Sequence, residues 1–389
     1  MAFLDGLQEV TERVRRGSIP SPEELRELKA QNRRNAEEAE REDREVCDSL
    51  PTWINTTNST VCNLRCDFCN QAYGKGVDWR MEEPIYQKLV EELYPAVETV
   101  QLSAYGEPMM TPQIGEKLKD MERFGVRLEM VTNATLMKGE ALCARLARIM
   151  GLLTVSIDGA TARTFNAIRV GADFDEVVAN VRRYNKYRME LPPERRAPLH
   201  FNTIIMGRTI RELPNFLRLA KDLGGEHVTV MHLVLFEEGL RDDMLNKDVV
   251  SKRLANDCLL KARSVAQELQ LSVNFPPLFR IEGEEETPLH RKEPIRCWFL
   301  WQRMYIGPFG HVIPCCLSGI HANGNVAESR RSFAQEWNND LYREMRRRVH
   351  GKDPYGPCKT CYLVNRSPDT GEFDKTHAET QPLAADTPS

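Results

Sequence analysis

Val61-Cys62-Asn63-Leu64-Arg65-Cys66-Asp67-Phe68-Cys69-Asn70 is the stretch on which the rest of the chain turns. Cys62, Cys66 and Cys69 follow the spacing C-x3-C-x2-C. Soft thiolates are the ligands iron–sulfur clusters take, and this spacing can wrap three corners of a cubic 4Fe–4S cluster. The fourth iron then has no protein ligand. An open iron can bind a small molecule and push an electron into it. The competing interpretation is a buried helical face, because positions i, i+4 and i+7 share one side of a helix and free cysteine packs well in cores. The neighbours argue against it: Asn58, Ser59, Thr60, Asn63, Arg65, Asp67 and Asn70 leave too few apolar residues for a core stripe. A polar, Asn-rich stretch after the short apolar run Trp53-Ile54 reads as a loop leaving a strand.

Outward from that loop, strand-like apolar runs alternate with amphipathic helical runs as far as about Asn274, the pattern of a parallel sheet built from βα units. Strands are expected at 53–58, 97–103, 127–132, 152–157, 199–206 and 227–233. Helices are expected near 82–94, 112–124, 139–150, 174–189, 210–223 and 244–270. Functional side chains of such folds sit at the carboxyl ends of strands. Those ends offer Tyr105-Gly106-Glu107-Pro108, Thr132-Asn133-Ala134, Ser156-Ile157-Asp158-Gly159 followed by Arg169, then Asn202-Thr203, and finally His232. Glycine admits a ligand close to the backbone, a carboxylate accepts from an ammonium group, and arginine suits a carboxylate. Singly, each stretch is equally well a turn or cap, Asp158-Gly159 being an ordinary turn pair. Their joint order and spacing favour a bound cofactor. His232 is a candidate substrate residue, weighed against a structural histidine on an apolar strand. Cys143 and Cys258 lie in leucine-containing helical runs and read as core filler.

The chain has 389 residues, enough for one large α/β domain and a smaller one. A net charge of −4 and a pI near 6.1 offer no broad basic field, which disfavours nucleic acid and anionic membrane. No apolar run approaches the ~20 residues that span a bilayer. The N-terminal residues lack the basic-then-apolar order of a signal peptide, so a cytoplasmic location is the default expectation. Eleven cysteines without a secretion signal point to metal rather than disulfides. Residues 1–50 read as a helical extension, with Ser21-Pro22-Glu23-Glu24 in the form of a capping box. Its second helix is so charged that it is either solvated or laid across another domain.

The cysteine triad with Phe68 just before its last member resembles the cluster loop of radical S-adenosylmethionine (SAM) enzymes, and the resemblance runs from about Trp53 to Cys361. It implies a partial (β/α)6 barrel over residues 51–281. In that family the open iron holds the amino and carboxylate groups of SAM, and one electron cleaves it to methionine and a 5′-deoxyadenosyl radical that takes a hydrogen atom from substrate. Gly106 and Glu107 correspond to a Gly-Gly-Glu-Pro motif that holds the SAM amino group, with Tyr105 standing in place of its first glycine. Asn133, Ser156, Asp158 and Arg169, together with Phe68, are the other SAM contacts the resemblance implies. An electron donor such as flavodoxin or ferredoxin is implied as partner.

The tail repeats the metal logic. Residues 282–296 are a charged, proline-bounded linker. After it come Cys297, an apolar hairpin around Gly307-Pro308-Phe309-Gly310, then Cys315-Cys316, a helix near 332–349, and Cys358-Lys359-Thr360-Cys361. Four thiolates so arranged can close a zinc site or a fully ligated 4Fe–4S cluster, and spacing alone does not separate the two. The order resembles the auxiliary-cluster region of SPASM or twitch domains. No cysteine follows Cys361, so the shorter, single-cluster twitch form fits better. The implied ligands over 297–364 are Cys297, Cys315, Cys358 and Cys361, with Cys316 a substitute for Cys315. Residues 365–389, rich in Ser, Thr, Pro and Asp, read as a disordered tail.

A fully ligated second cluster suits taking an electron from a substrate radical. The expected function is therefore a dehydrogenase-type oxidoreductase acting on a polar small molecule, a sugar or aminocyclitol alcohol. Modification of a ribosomally made peptide is the alternative, and the missing strand-rich leader-binding module weighs mildly against it. A non-catalytic electron carrier is the third reading, disfavoured because such carriers normally supply four ligands per cubane.

Overall fold

The computed structural model of the chain describes residues 2–69, 78–102, 106–281, 296–315, 324–359 and 361. Tyr105, Cys316, the linker residues 282–295 and the tail from 362 onward lie outside the described residues. Two helices come first, α1 (Ala2–Arg15) and α2 (Pro22–Arg41). The strands are β1 (Trp53–Thr56), β2 (Thr99–Leu102), β3 (Arg127–Thr132), β4 (Met150–Ser156), β5 (Leu199–Ile205), β6 (His227–His232), β7 (Ser272–Asn274), β8 (Arg303–Ile306) and β9 (Val312–Ile313). Between the first seven run α3 (Glu83–Glu92), α4 (Ile114–Phe124), α5 (Glu140–Ile149), α6 (Ala162–Ile168), α7 (Phe174–Met189), α8 (Leu213–Asp222) and α9 (Val249–Glu268). The C-terminal part adds α10 (Phe299–Gln302), α11 (Phe333–Trp337), α12 (Asp340–Arg348) and α13 (Gly356–Lys359).

All nine strands form one open sheet in the order β7-β6-β5-β4-β3-β2-β1-β8-β9. β1 to β8 pair in parallel, and β9 turns back antiparallel on β8. Alternation fixes the two faces. Along β5, Leu199, Phe201, Thr203 and Ile205 are buried, whereas His200, Asn202 and Ile204 are partly exposed on the other side. The buried face lies under the helices and the partly exposed face is the concave one.

The six expected strands and their helices are present within a few residues. Three features differ. The helix α6 was not foreseen, and β7 adds a strand. The hairpin expected in a separate tail domain joins the barrel sheet: β8 lies beside β1, with Trp53 opposite Arg303 and Thr56 opposite Ile306. Without it, β1 would present an unpaired edge.

The charged helix α2 is laid across the barrel. Its start is capped by Ser21, whose hydroxyl accepts from the Glu24 N–H at 3.2 Å. Lys29 reaches under it to the carbonyls of Val97 (2.7 Å) and Gly125 (3.2 Å), and fully buried Asn32 accepts from Leu50 N–H and donates to the carbonyls of Leu50 and Ala96. Burial lowers the Lys29 pKa to about 7, against the pull of Glu98. Among the described residues no helix is long and apolar enough to cross a membrane.

Candidate active site

The cysteine loop leaves β1 and is tied down along its backbone. Asp67 N–H donates to Ile168 O and Arg65 N–H to Val170 O, both at 3.0 Å, so the segment after α6 forms a short ladder with the loop. Glu107 N–H donates to Val61 O at 2.8 Å. Gly106 lies flat against this same stretch with φ +79°, and a Cβ there would stand 2.6 Å from the Thr60 carbonyl. Only glycine fits that approach. Cys66 N and Cys69 N are drawn into a turn by the Cys69 N–H to Cys66 O bond of 3.0 Å.

Cys62 and Cys66 lie close enough to Cys69 for a thiolate there to raise their pKa. Burial pushes the Cys66 thiol up to about 12, opposed by the Arg169 charge. Burial also raises Cys62. Such thiols ionise readily only against a positive partner, which cluster iron supplies.

A buried polar network surrounds the loop. Glu107, 1% exposed, accepts from the Thr132 hydroxyl (2.6 Å), Asn133 N–H (2.8 Å) and Met109 N–H (3.2 Å). It therefore braces β2 against β3 with bonds inside the protein, and burial raises its pKa despite those donors. The Asn133 amide donates to Asn63 Oδ1 (3.0 Å) and stands 3.9 Å from Cys62 Sγ, while its oxygen accepts from Thr135 N–H and the Thr135 hydroxyl. Asn63 closes the ring by donating to Thr135 Oγ1 at 2.8 Å. Fully buried Asp158 accepts from Ile204 N–H at 2.7 Å and pairs with Arg169 at 2.7 Å. Arg169 also sits 5.8 Å over the Phe68 ring, and its Nε, like Asn58 Nδ2, is buried with no hydrogen-bond partner among the described residues.

Asn63, Thr135 and Arg208 were missed in the sequence. Arg208 bridges Asp67 in the loop (2.5 Å) to Asp243 (3.1 Å). Thr135 had a faint signal, two residues beyond Asn133; Arg208 had none, since only the fold brings it to the loop.

Ser156 and Asn202 lie opposite each other in register, and Asn202 in turn opposes Thr229, all on the concave face. His232 and Thr203 lie on the opposite face of the sheet from Ser156, Asn202 and Thr229. Both share the face of buried Val228 and Val230. The His232 ring packs 4.6 Å from Phe279, and burial lowers its pKa against a backbone hydrogen bond at Pro277. Alternation along β6 turns Thr229 and Met231 to the concave side instead.

In the tail, Cys297 and Cys358 each lie close enough to Cys361 for a thiolate there to raise their pKa. Burial pushes the Cys358 thiol up to about 11. The Cys297 sulfur is also raised by burial but accepts backbone hydrogen bonds from Phe299 and Leu300 at the start of α10. Cys315 is placed near Tyr342 on the same part of the fold. Cys47, Cys143 and Cys258 are buried in the hydrophobic core. Among the described residues no three His, Cys, Asp or Glu side chains are arranged to hold a lone metal ion.

Residues 59–220 match the radical SAM superfamily, and residues 297–362 match SPASM, an iron–sulfur cluster-binding domain. The AdoMet-dependent heme synthase of Methanosarcina barkeri is 25% identical over 312 residues, covering 77% of this chain and 85% of its own length. The PqqA peptide cyclase of Bradyrhizobium diazoefficiens is 23% identical over 318 residues, covering 77% of this chain and 76% of its own. Streptococcus suis SuiB, solved bound to S-adenosylmethionine, superimposes with a TM-score of 0.55 at 18% identity over 85% of this chain and 75% of SuiB, a likeness of fold. The chain thus belongs to the radical SAM enzymes, with a SAM-dependent iron–sulfur domain followed by a C-terminal SPASM domain for auxiliary iron–sulfur binding.

Proposed function

We propose that the chain oxidises a polar, hydroxylated small molecule, with Cys62, Cys66 and Cys69 holding the SAM-binding cluster and Cys297, Cys315, Cys358 and Cys361 an auxiliary 4Fe–4S cluster. The residues fit those groups. The donors are soft thiols, Gly106 packs its backbone against Thr60 and Val61 at the start of the loop, and among the described residues Arg169 Nε and Asn58 Nδ2 are buried and unpartnered beside it. When bound, the cluster and SAM supply a one-electron cleavage that lets the enzyme take a hydrogen atom from its substrate.

The chain's own residues hold and shield this site. Asp158 fixes Arg169, which places a positive charge beside Cys62 and Cys66 and opposite any carboxylate brought to the loop. Asn133, Asn63 and Thr135 hold the Cys62 side. Phe68 packs with Ile168, Met206 and Leu233 in a small apolar cluster separate from the main core, which keeps water from that flank.

The observation that carries the substrate class is the pair Asn202 and Thr229, opposite each other in register beyond Ser156, uncharged groups suited to hydroxyls. A flavodoxin or ferredoxin is the proposed electron donor. A second reading, modification of a peptide, draws on the similarity to the PqqA peptide cyclase.

The test is 5′-deoxyadenosine formation by anaerobically reconstituted protein with SAM and a strong reductant, with iron and sulfide counted on the same sample. About eight irons per chain correspond to two cubanes. Polyols and aminocyclitols deuterated at carbinol carbons are then compared with peptides, and deuterium in 5′-deoxyadenosine identifies the substrate. Transfer from a peptide alone selects the second reading; no deoxyadenosine from fully loaded protein overturns both.

A further inference from the structure

The carboxyl end of the N-terminal extension meets the auxiliary cysteines through one chain of contacts. Cys297 N–H donates to His350 Nε2 at 3.1 Å, and His350 Nδ1 lies 2.7 Å from Asp43 Oδ1. The main-chain amide is only a donor, so Nε2 must present its lone pair and Nδ1 must carry the proton that goes to Asp43. The tautomer is therefore set from both sides. Asp43 follows α2 in a left-handed conformation, φ 52°, and the same carboxylate oxygen takes Arg296 at 2.6 Å. The His350 ring is stacked on Trp301, centroids 5.5 Å apart and planes within 10°. Nearby, Trp301 donates to Arg44 O at 2.9 Å and Gln302 to Glu40 at 2.5 Å, so α10 is tied to the extension on both sides of this relay.

From this we infer that Asp43 and His350 are positioning residues for the auxiliary cluster: they hold the Cys297 backbone so that its sulfur stays under the Phe299 and Leu300 amides. The inference rests on the proposed assignment of Cys297 as a ligand. Amide donors to a ligating sulfur tune a cluster's potential, and groups that orient a ligand from behind control how firmly the metal is held. The extension thereby acquires a role beyond covering the barrel. It supplies the carboxylate end of a relay whose other end is a cluster ligand 254 residues later, from Asp43 to Cys297.

The experiment uses the full-length, anaerobically reconstituted protein and follows loss of iron to an excess of ferrous chelator, together with the electron paramagnetic resonance spectrum and midpoint potential of the reduced auxiliary cluster. Iron held by the 62–69 loop is the internal reference. His350→Phe keeps a ring on Trp301 but offers no acceptor; it is expected to release auxiliary iron about 10–100-fold faster than wild type and to shift the spectrum and potential. His350→Gln, which retains an acceptor, is expected to stay near wild type. Asp43→Ala should fall between them. If His350→Phe does not fold, Asp43→Ala decides on the same readouts. Wild-type release and spectra in His350→Phe, or in Asp43→Ala where it stands in, would overturn the inference, as would His350→Gln as leaky as His350→Phe. Wild-type protein that binds only one cluster would instead overturn the ligand assignment beneath it.

Discussion

The two cysteine groups are held in opposite ways. The first occupies a single loop, and its supports come from the ends of successive strands: Glu107 after β2, Asn133 after β3, Asp158 after β4. The second is proposed to draw on positions 297, 315, 358 and 361, and the segments around it are joined to the N-terminal extension through Asp43, Glu45 and Cys47. Each region also buries an arginine. Arg169 is paired with the Asp158 carboxylate, whereas Arg346, 1% exposed, is satisfied by the carbonyls of Leu300, Trp337 and Glu45 and by Asn338, and lies 4.6 Å over Trp337. An acid–base pair suits a place where a charge must stand beside ligands and thiols. A carbonyl cage suits a place where the charge only joins segments. The difference teaches that a paired charge stands beside the first group, whereas the segments around the second are joined by a cage of neutral acceptors.

The sharpest way to break the comparison is to remove one thiolate from each group. Cys62→Ala, Cys66→Ala or Cys69→Ala is expected to abolish 5′-deoxyadenosine formation and to lower bound iron by about four per chain. Cys358→Ala or Cys361→Ala should lose a similar amount of iron yet keep SAM cleavage while blocking substrate oxidation. Equal loss of both activities in a folded tail variant would make the second cluster structural rather than an electron acceptor.

Next in size is the buried ion pair. Asp158→Asn leaves Arg169 without its counter-charge, a loss of about 3–5 kcal/mol, readable as a fall in the denaturation midpoint of the cluster-free protein. A change below about 1 kcal/mol, the level of an exposed pair, would mean that water reaches Arg169 and that the loop is open on this side.

The smallest effect concerns the extension's grip on the barrel. The Lys29 pKa in the folded chain, about 7, lies below its ordinary value of 10.5. The folded state therefore carries the full penalty of a buried ammonium below pH 7, and the penalty is relieved as pH rises towards 10.5. Wild type should gain thermal stability relative to Lys29→Met between those limits, and parallel melting-temperature profiles for the two proteins would remove the buried-lysine account.

The alternating strand and helix signals between Trp53 and Asn274, and the triad itself, were legible because they are local: side-chain periodicity and close cysteine spacing survive without any knowledge of neighbours. The direction of His232 was not legible, because a strand end gives no hint of which face is concave until the helices are in place. Nor was the pairing of β8 with β1, which joins Trp53 to Arg303 across 250 positions and satisfies an edge that sequence alone leaves open. The sequence by itself determined the cluster loop, the βα order and the thiol chemistry of the tail, since each depends on residue type and short spacing. The tertiary structure alone decided which polar groups surround the loop, and that Asp43, His350 and Cys297 meet, because hydrogen-bond partners far apart in the chain become neighbours only when the whole core packs.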